Sequence, residues 1–202
     1  MNTILLLFAL LTKPSYIPIA AARAQAQGTV TVMGLVTVPS GRFRSSSEDE
    51  GFALNDQTGG IWVSVAKNLH LHRGERVLVT GTLGTGAGKL QINAEPAQIR
   101  RLPGRALRVA TGSIGTATLG DIVTIEGMVT TAPQKDESYG WKMWVDDGTG
   151  AAMVYLNAST DIDAHARYLR KGRRIRVTGF GNQYNTSFEV DPRGRQDLQA
   201  LK

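Results

Sequence analysis

Hydrophobic residues alternate with polar or small ones in short runs along most of the chain, a period of two that predicts β-strands. In TVTVMGLVTV, Val30, Val32, Val36 and Val38 put one face into a core and leave Thr31, Met33 and Thr37 outside. Gly34 falls inside this run, where a bulge or sharp coil is expected. In GFALNDQTGGIWVSV, Phe52, Leu54, Ile61, Val63 and Val65 share one parity, while Ala53, Trp62 and Ser64 point the other way. Between these strands the D-x-T-G segment from Asp56 to Gly59 predicts a hairpin turn, with glycine supplying the positive φ of the reversal and the Asp capping it. Val77 and Val79 of GERVLVTG and the KLQI run from Lys89 complete a set of five strands.

The set returns in the second half. DIVTIEGMVT from Asp121 matches the first run, WKMWVDDGTGAAMVYL from Trp141 the hairpin, GRRIRVTG from Gly172 the fourth strand and SFEV from Ser187 the fifth. Met143, Val145, Ala152, Val154 and Leu156 align with the inward residues of the first hairpin, so Lys142, Trp144, Met153 and Tyr155 point out. Between the third and fourth strands, DIDAHARYLRK predicts a short helix over 161–171, with Thr160 or Asp161 as N-cap, cations late and Gly172 after its end. Residues 103–120 lack a period and carry turn formers, which predicts a linker with a short edge strand at Leu107 to Ala110. Duplication of a five-strand unit implies two domains, 27–102 and 118–202, joined by a linker at 103–117.

Composition agrees with a folded, turn-rich β protein: 202 residues, 42% of them hydrophobic, with 23 Gly and 7 Pro. The absence of cysteine excludes disulfides, thiolate metal sites and a Cys nucleophile. Ile4 to Leu11 is an apolar run too short to span a bilayer, and Ala22-Arg23-Ala24 and Ala24-Gln25-Ala26 follow as A-x-A patterns. Together they predict a secretory signal over 1–26 and an exported protein, periplasmic or secreted, with no membrane span after cleavage, although no Lys or Arg precedes the apolar run. Loss of Lys13 and Arg23 would lower the net charge from +6 to +4.

Catalytic and cofactor patterns are missing. His70 and His72 would share a strand face but have no third ligand nearby in sequence, and His165 has no E-x-x-H companion. There is no G-x-S-x-G, and TLGTGAGK from Thr82 lacks the G-K-[ST] ending of a phosphate loop. The expectation is a protein that is not an enzyme and that has neither cofactor nor metal.

Strand order, the central glycine of the first strand, the D-x-T-G hairpin and the G-x-x-V-x-V-x-G fourth strand together resemble the bacterial OB-fold (oligonucleotide/oligosaccharide-binding) proteins, over about residues 29–102 and 118–201. The resemblance implies an all-β chain of two tandem five-stranded OB-fold barrels, the second with a short helix between strands three and four. It also implies a ligand site on the outer side of strands two and three, rimmed by the loops joining strands one to two and four to five. In the second unit those positions are Lys142, Trp144, Met153 and Tyr155, with Tyr139 and Tyr184 in the rim loops. In the first they are Trp62, Arg42, Phe43, Arg44 and Lys89, diluted by the acids near Glu48 to Glu50.

The second barrel is therefore expected to carry the ligand: single-stranded nucleic acid read with little sequence preference, or else an envelope protein or glycan. An outer-face Trp can also pack on the neighbouring barrel, and burial of Trp62 and Trp144 between domains would favour the protein or glycan. Arg76, Arg174 and Arg176 read as a solvated face. Arg170 to Arg174 reads as a helix C-terminus complementing its dipole, with a phosphate track as the second reading.

Overall fold

The computed structural model describes residues 15–103, 119–185 and 187–202, apart from the side chains of Ser45 and Ser46. The first unit holds β1 (Gly28–Val38), β2 (Phe52–Asn55), β3 (Gly60–Ser64), β4 (Arg76–Gly86), β5 (Lys89–Asn93) and β6 (Ile99–Leu102). β1 pairs antiparallel with β2 and β4, β2 with β3 and β4 with β5, while β3 runs parallel to β5, so the first five strands close a ring. β7 (Ile122–Asp136), β8 (Gly140–Asp146), β9 (Ala151–Asn157), β10 (Arg174–Tyr184) and β11 (Ser187–Asp191) repeat that ring strand for strand. β6 and β12 (Leu198–Ala200), which the periodicity did not announce, add an antiparallel sixth strand to β4 and β10. The protein is all-β, two tandem OB-type barrels.

Alternation fills each barrel. Val30, Val32, Val36, Phe52, Leu54, Ile61, Val63, Val65, Val77 and Val79 form the first core. Met143, Val145, Ala152, Val154, Leu156, Ile175 and Val177 belong to the second. Gly34 stands where a Cβ would lie 2.9 Å from the Asn55 carbonyl oxygen, so its lack of a side chain lets β1 and β2 approach. Val38 departs from the expected parity: the register of β1 on β2 shifts between Val36 and Val38, and Val38 turns out of the first core.

Two further differences bear on the site. The helix expected over 161–171 is a single 3-10 turn, Arg167–Leu169. The Asp163 carboxylate accepts the His165 N–H (2.9 Å), and Ala166 and Leu169 N–H groups reach the carbonyls three residues back, so side-chain and three-residue turns replace the helical ladder. Ile162 and Ala164, two apart, are both buried, a spacing no α-helical face provides.

At the N-terminus, α1 (Ile19–Gln25) lies within the expected signal segment, yet Ile19 and Ala22 are fully buried in the first core. Cleavage at either A-x-A would remove both. The linker positions beyond Pro103, including the expected edge strand at Leu107 to Ala110, lie outside the described residues.

The barrels meet through an apolar cluster of Val38, Phe43, Ala53 and Trp62 from the first and Ile122 and Phe180 from the second. The rings of Trp62 and Phe180 stand 5.8 Å apart, and Phe43 lies 6.3 Å from each. Polar ties surround the cluster. Arg23 Nη1 donates to the Leu119 carbonyl (2.6 Å), Arg193 Nη1 to the Thr37 carbonyl (3.2 Å) and Ser159 Oγ to the Arg42 carbonyl (2.6 Å). A Cβ on Gly60 would overlap the Gly120 carbonyl, so glycine is what permits the two backbones to touch there.

Candidate ligand-binding site

Five of the six positions expected in the second barrel line one cleft of about 710 Å³ on its outer face: Tyr139, Lys142, Met153, Tyr155 and Tyr184. Strand parity and loop position bring them together. Lys142 on β8 lies opposite Tyr155 on β9, while Tyr139 ends the β7–β8 loop and Tyr184 opens the β10–β11 turn. Tyr139 and Tyr184 are 41% and 53% exposed. Trp144, the sixth, is half-buried two residues along the same hairpin from Lys142, opposite Met153, with Thr131 of β7 on its other side. It stands beside the cleft rather than in it.

The cleft is acidic, which the outward parity of β8 and β9 did not reveal. Glu48, Asp136, Glu137 and Glu189 line it, and the one cation, Lys142, donates to Asp136 at 2.9 Å. Tyr155 donates its hydroxyl to the same carboxylate (3.1 Å), and burial, reinforced by Asp136, holds the phenol well above its usual range. Burial also pushes the Glu189 carboxyl up to about 7, against the pull of Lys89 and Lys142. The acids at 136–137 are legible as loop-tip residues. Glu48 reaches the cleft from the first barrel because the barrels dock, and Glu189 reaches it through the pairing of β11 with β9, where it lies beside Met153.

In the first barrel the expected site residues take other roles. Trp62 and Phe43 are each 2% exposed, inside the inter-barrel cluster, so neither offers a face to a ligand. Trp62 does point out of its barrel, and the second barrel covers it there. Lys89 sends its ammonium 4.9 Å over the Trp62 ring and donates to Asn182 Oδ1 at 3.0 Å. Burial lowers its proton affinity, and Asp191, Asp49 and Glu189 oppose that shift. Asn182 in turn donates to Glu189 (2.9 Å) and to the buried Asp191 (2.8 Å), which joins the floor of the cleft to the barrel contact. Arg44 pairs with Glu50 at 3.0 Å, and Arg42 accepts Ser159 through its carbonyl. An outward residue reads alike in both barrels, so periodicity alone could not separate an open face from a docked one.

A scan of family models gives no match, and a search of curated proteins gives none. Solved structures similar to this chain include the p204 HINb domain, at 14% identity and TM-score 0.41, covering 87% of this chain and 99% of that one. A murine DNA binding protein bound with ds DNA is similar at 12% identity and TM-score 0.41, over 80% and 90% of the two chains. Fission yeast Pot1 with ssDNA is similar at 11% and 0.40, over 87% and 84%. Likeness at this level carries no ligand from those proteins to this chain. Among the described residues no helix is long and apolar enough to cross a membrane.

Proposed function

We propose that the protein is a non-enzymatic binding module for single-stranded nucleic acid, with little sequence preference, and that the second barrel carries the strand. The observation behind this reading is the placement of Trp144: outward on β8, half-buried, with Met153 directly across on β9. A partly exposed indole stacks any base, for roughly 1–3 kcal/mol per base. Phosphates approach from the β7 side, because the four carboxylates of the cleft repel them on the other. Anisotropy of labelled oligo-dT tests the reading. Binding is expected at low salt, weakening as salt rises, and Trp144→Ala should lower affinity about tenfold. No binding at low salt overturns it.

The cleft itself favours a second reading, an envelope protein or glycan, since three tyrosines among carboxylates suit a neutral or cationic chain better than a polyanion. On that reading Tyr184→Ala weakens capture of the partner while oligo-dT binding is absent. Export belongs to the proposal as well, motivated by Ile4 to Leu11 and the A-x-A patterns. N-terminal sequencing of protein recovered outside the cytoplasm tests it, and recovery from the cytoplasm alone overturns it.

A further inference from the structure

Resting on the nucleic-acid reading above, we infer that the phosphate backbone is held by the connection from β9 to β10, through Arg167, Arg170, Lys171, Arg173 and Arg174, and not by the aromatic cleft. All five cations are exposed, and among the described residues none has a carboxylate partner. Five cations elsewhere are tied internally, Arg44 to Glu50, Arg101 to Glu75, Lys142 to Asp136, Arg176 to Glu126 and Arg193 to Asp197, while the exposed Arg73 and Arg100 of the first barrel also lack a carboxylate partner among the described residues; the 167–174 segment differs in gathering five such cations within eight residues.

The sequence offers an ordinary explanation for this cluster, a helix C-terminus whose dipole the cations complement. The fold removes that explanation. The only helical turn here is Arg167–Leu169, and Arg170 already has extended backbone (φ −74, ψ 148), so no aligned column of carbonyls ends at these charges. What remains is a dense basic surface with no intramolecular work to do.

Its position relative to Trp144 follows from register. Arg174 is the partner of Met128 on β7, Met128 is the partner of Asp146 on β8, and Trp144 lies two residues further along β8. Two inter-strand spacings across and two residues along place the Arg174 and Trp144 backbones roughly 12 Å apart on one sheet surface. Met128, 44% exposed, lies between the basic end and Trp144 and supplies apolar surface. Leu201 N–H donates to the Arg174 carbonyl (2.9 Å), which brings the exposed Lys202 alongside. Of the carboxylates beside this row, Asp146 is turned onto its own hairpin, where Oδ1 accepts the Gly148 N–H at 2.8 Å, and Glu126 is paired with Arg176. A strand lying from Trp144 over Met128 to Arg174 thus runs away from the acidic cleft and toward the unpaired cations, where its charge is complemented.

The test compares two double variants with the same change in net charge. R173Q/R174Q removes cations from the proposed track, and R73Q/R100Q removes exposed cations from the first barrel. Oligo-dT affinity is measured against salt for each and for wild type. R173Q/R174Q should lower affinity roughly tenfold at low salt and reduce the slope of log K on log salt by about 1.4, about 0.7 for each phosphate that is no longer neutralised. R73Q/R100Q should stay within about twofold of wild type, as expected of charges that make no phosphate contact. Equal effects of the two pairs, with Trp144→Ala still weakening binding, overturn the track and leave the nucleic-acid reading standing. Absence of wild-type binding at low salt removes both. Loss of binding to anionic phosphatidylglycerol vesicles by R173Q/R174Q, with oligo-dT affinity unchanged, reassigns the surface to a membrane and overturns the inference.

Discussion

The two barrels share strand order, register and hairpin chemistry, yet the outer face of their second and third strands meets opposite fates. In the first, Ala53 and Trp62 on β2 and β3 are covered by Phe180 and Ile122 of the second barrel. In the second, Lys142, Trp144, Met153 and Tyr155 on β8 and β9 border a cleft of about 710 Å³ or stand beside it. Duplication supplied two equivalent faces, and docking consumed one of them. The outward face of an OB-type hairpin thus has no fixed role, and what lies against it decides whether it stays open or becomes a domain contact.

The largest expected effect falls on that contrast. Trp62→Ala should cost about 3–5 kcal/mol in chemical denaturation, as for a large aromatic removed from a packed cluster. Trp144→Ala should cost no more than about 1 kcal/mol in stability. Reversal of these two stabilities would mean that the second barrel's face, not the first's, is the structural one.

The N-terminal segment sharpens the comparison, because the apolar side chains of α1, Ile19 and Ala22, are buried in the first core and not in the second. A chain beginning at Gln27 should be less stable than one beginning at Ser15 by about 2–4 kcal/mol, from the loss of Ile19 and Ala22 burial. Equal stability of the two chains would show that the helix is dispensable and leave either A-x-A free to be cut.

Acidity should act at the junction of the barrels. The Glu189 carboxyl is raised from its ordinary value near 4.5 to about 7, so the folded protein holds a proton that the unfolded chain releases between those values. Its contribution is fully present below about 4.5 and is lost as pH rises through about 7. Thermal melting should therefore show a fall in midpoint from pH 5.5 to pH 8, and Glu189→Gln, which keeps a side chain for Asn182 to meet, should flatten it. An unchanged slope in the variant would place the titration elsewhere in the cluster, at Asp191 or Lys89.

The smallest effect is expected at the exposed rim of the first barrel. Arg44 pairs with Glu50 with its own side chain 72% exposed, so Arg44→Ala should change stability by less than about 1 kcal/mol. Oligo-dT affinity should move within about twofold, since that pair makes no phosphate contact on the proposed path. A tenfold loss would bring the first barrel's rim back into the site.

Much of this architecture was legible in the chain. Alternating valines, a mid-strand glycine at Gly34 and a D-x-T-G turn are local signals, and each specifies its geometry within a few residues. The outward set on β8 and β9 was legible for the same reason. The acidic lining was not, because Glu48 and Glu189 are distant in sequence and converge only when one barrel is laid on the other. The expected helix over 161–171 failed on a competition between levels. N-cap and late cations favour a helix, but burial of Ile162 and Ala164 under the second barrel and the Asp163 turn bind the segment in a tighter path.

By itself, then, the sequence determined the class of fold, the duplication and the inward and outward parity of the hairpins, because these are written in local alternation and in turn signals that recur in the second half. Only the tertiary structure decided that Trp62 and Phe43 are a domain contact, that Lys89 donates to Asn182 across it, and that α1 belongs to the first core. It also decided that the cations from Arg167 to Arg174 have no helix to serve. Periodicity states which side of a strand a residue occupies. What stands on that side is set by long-range packing, where the burial of a few aromatic rings outweighs any local preference.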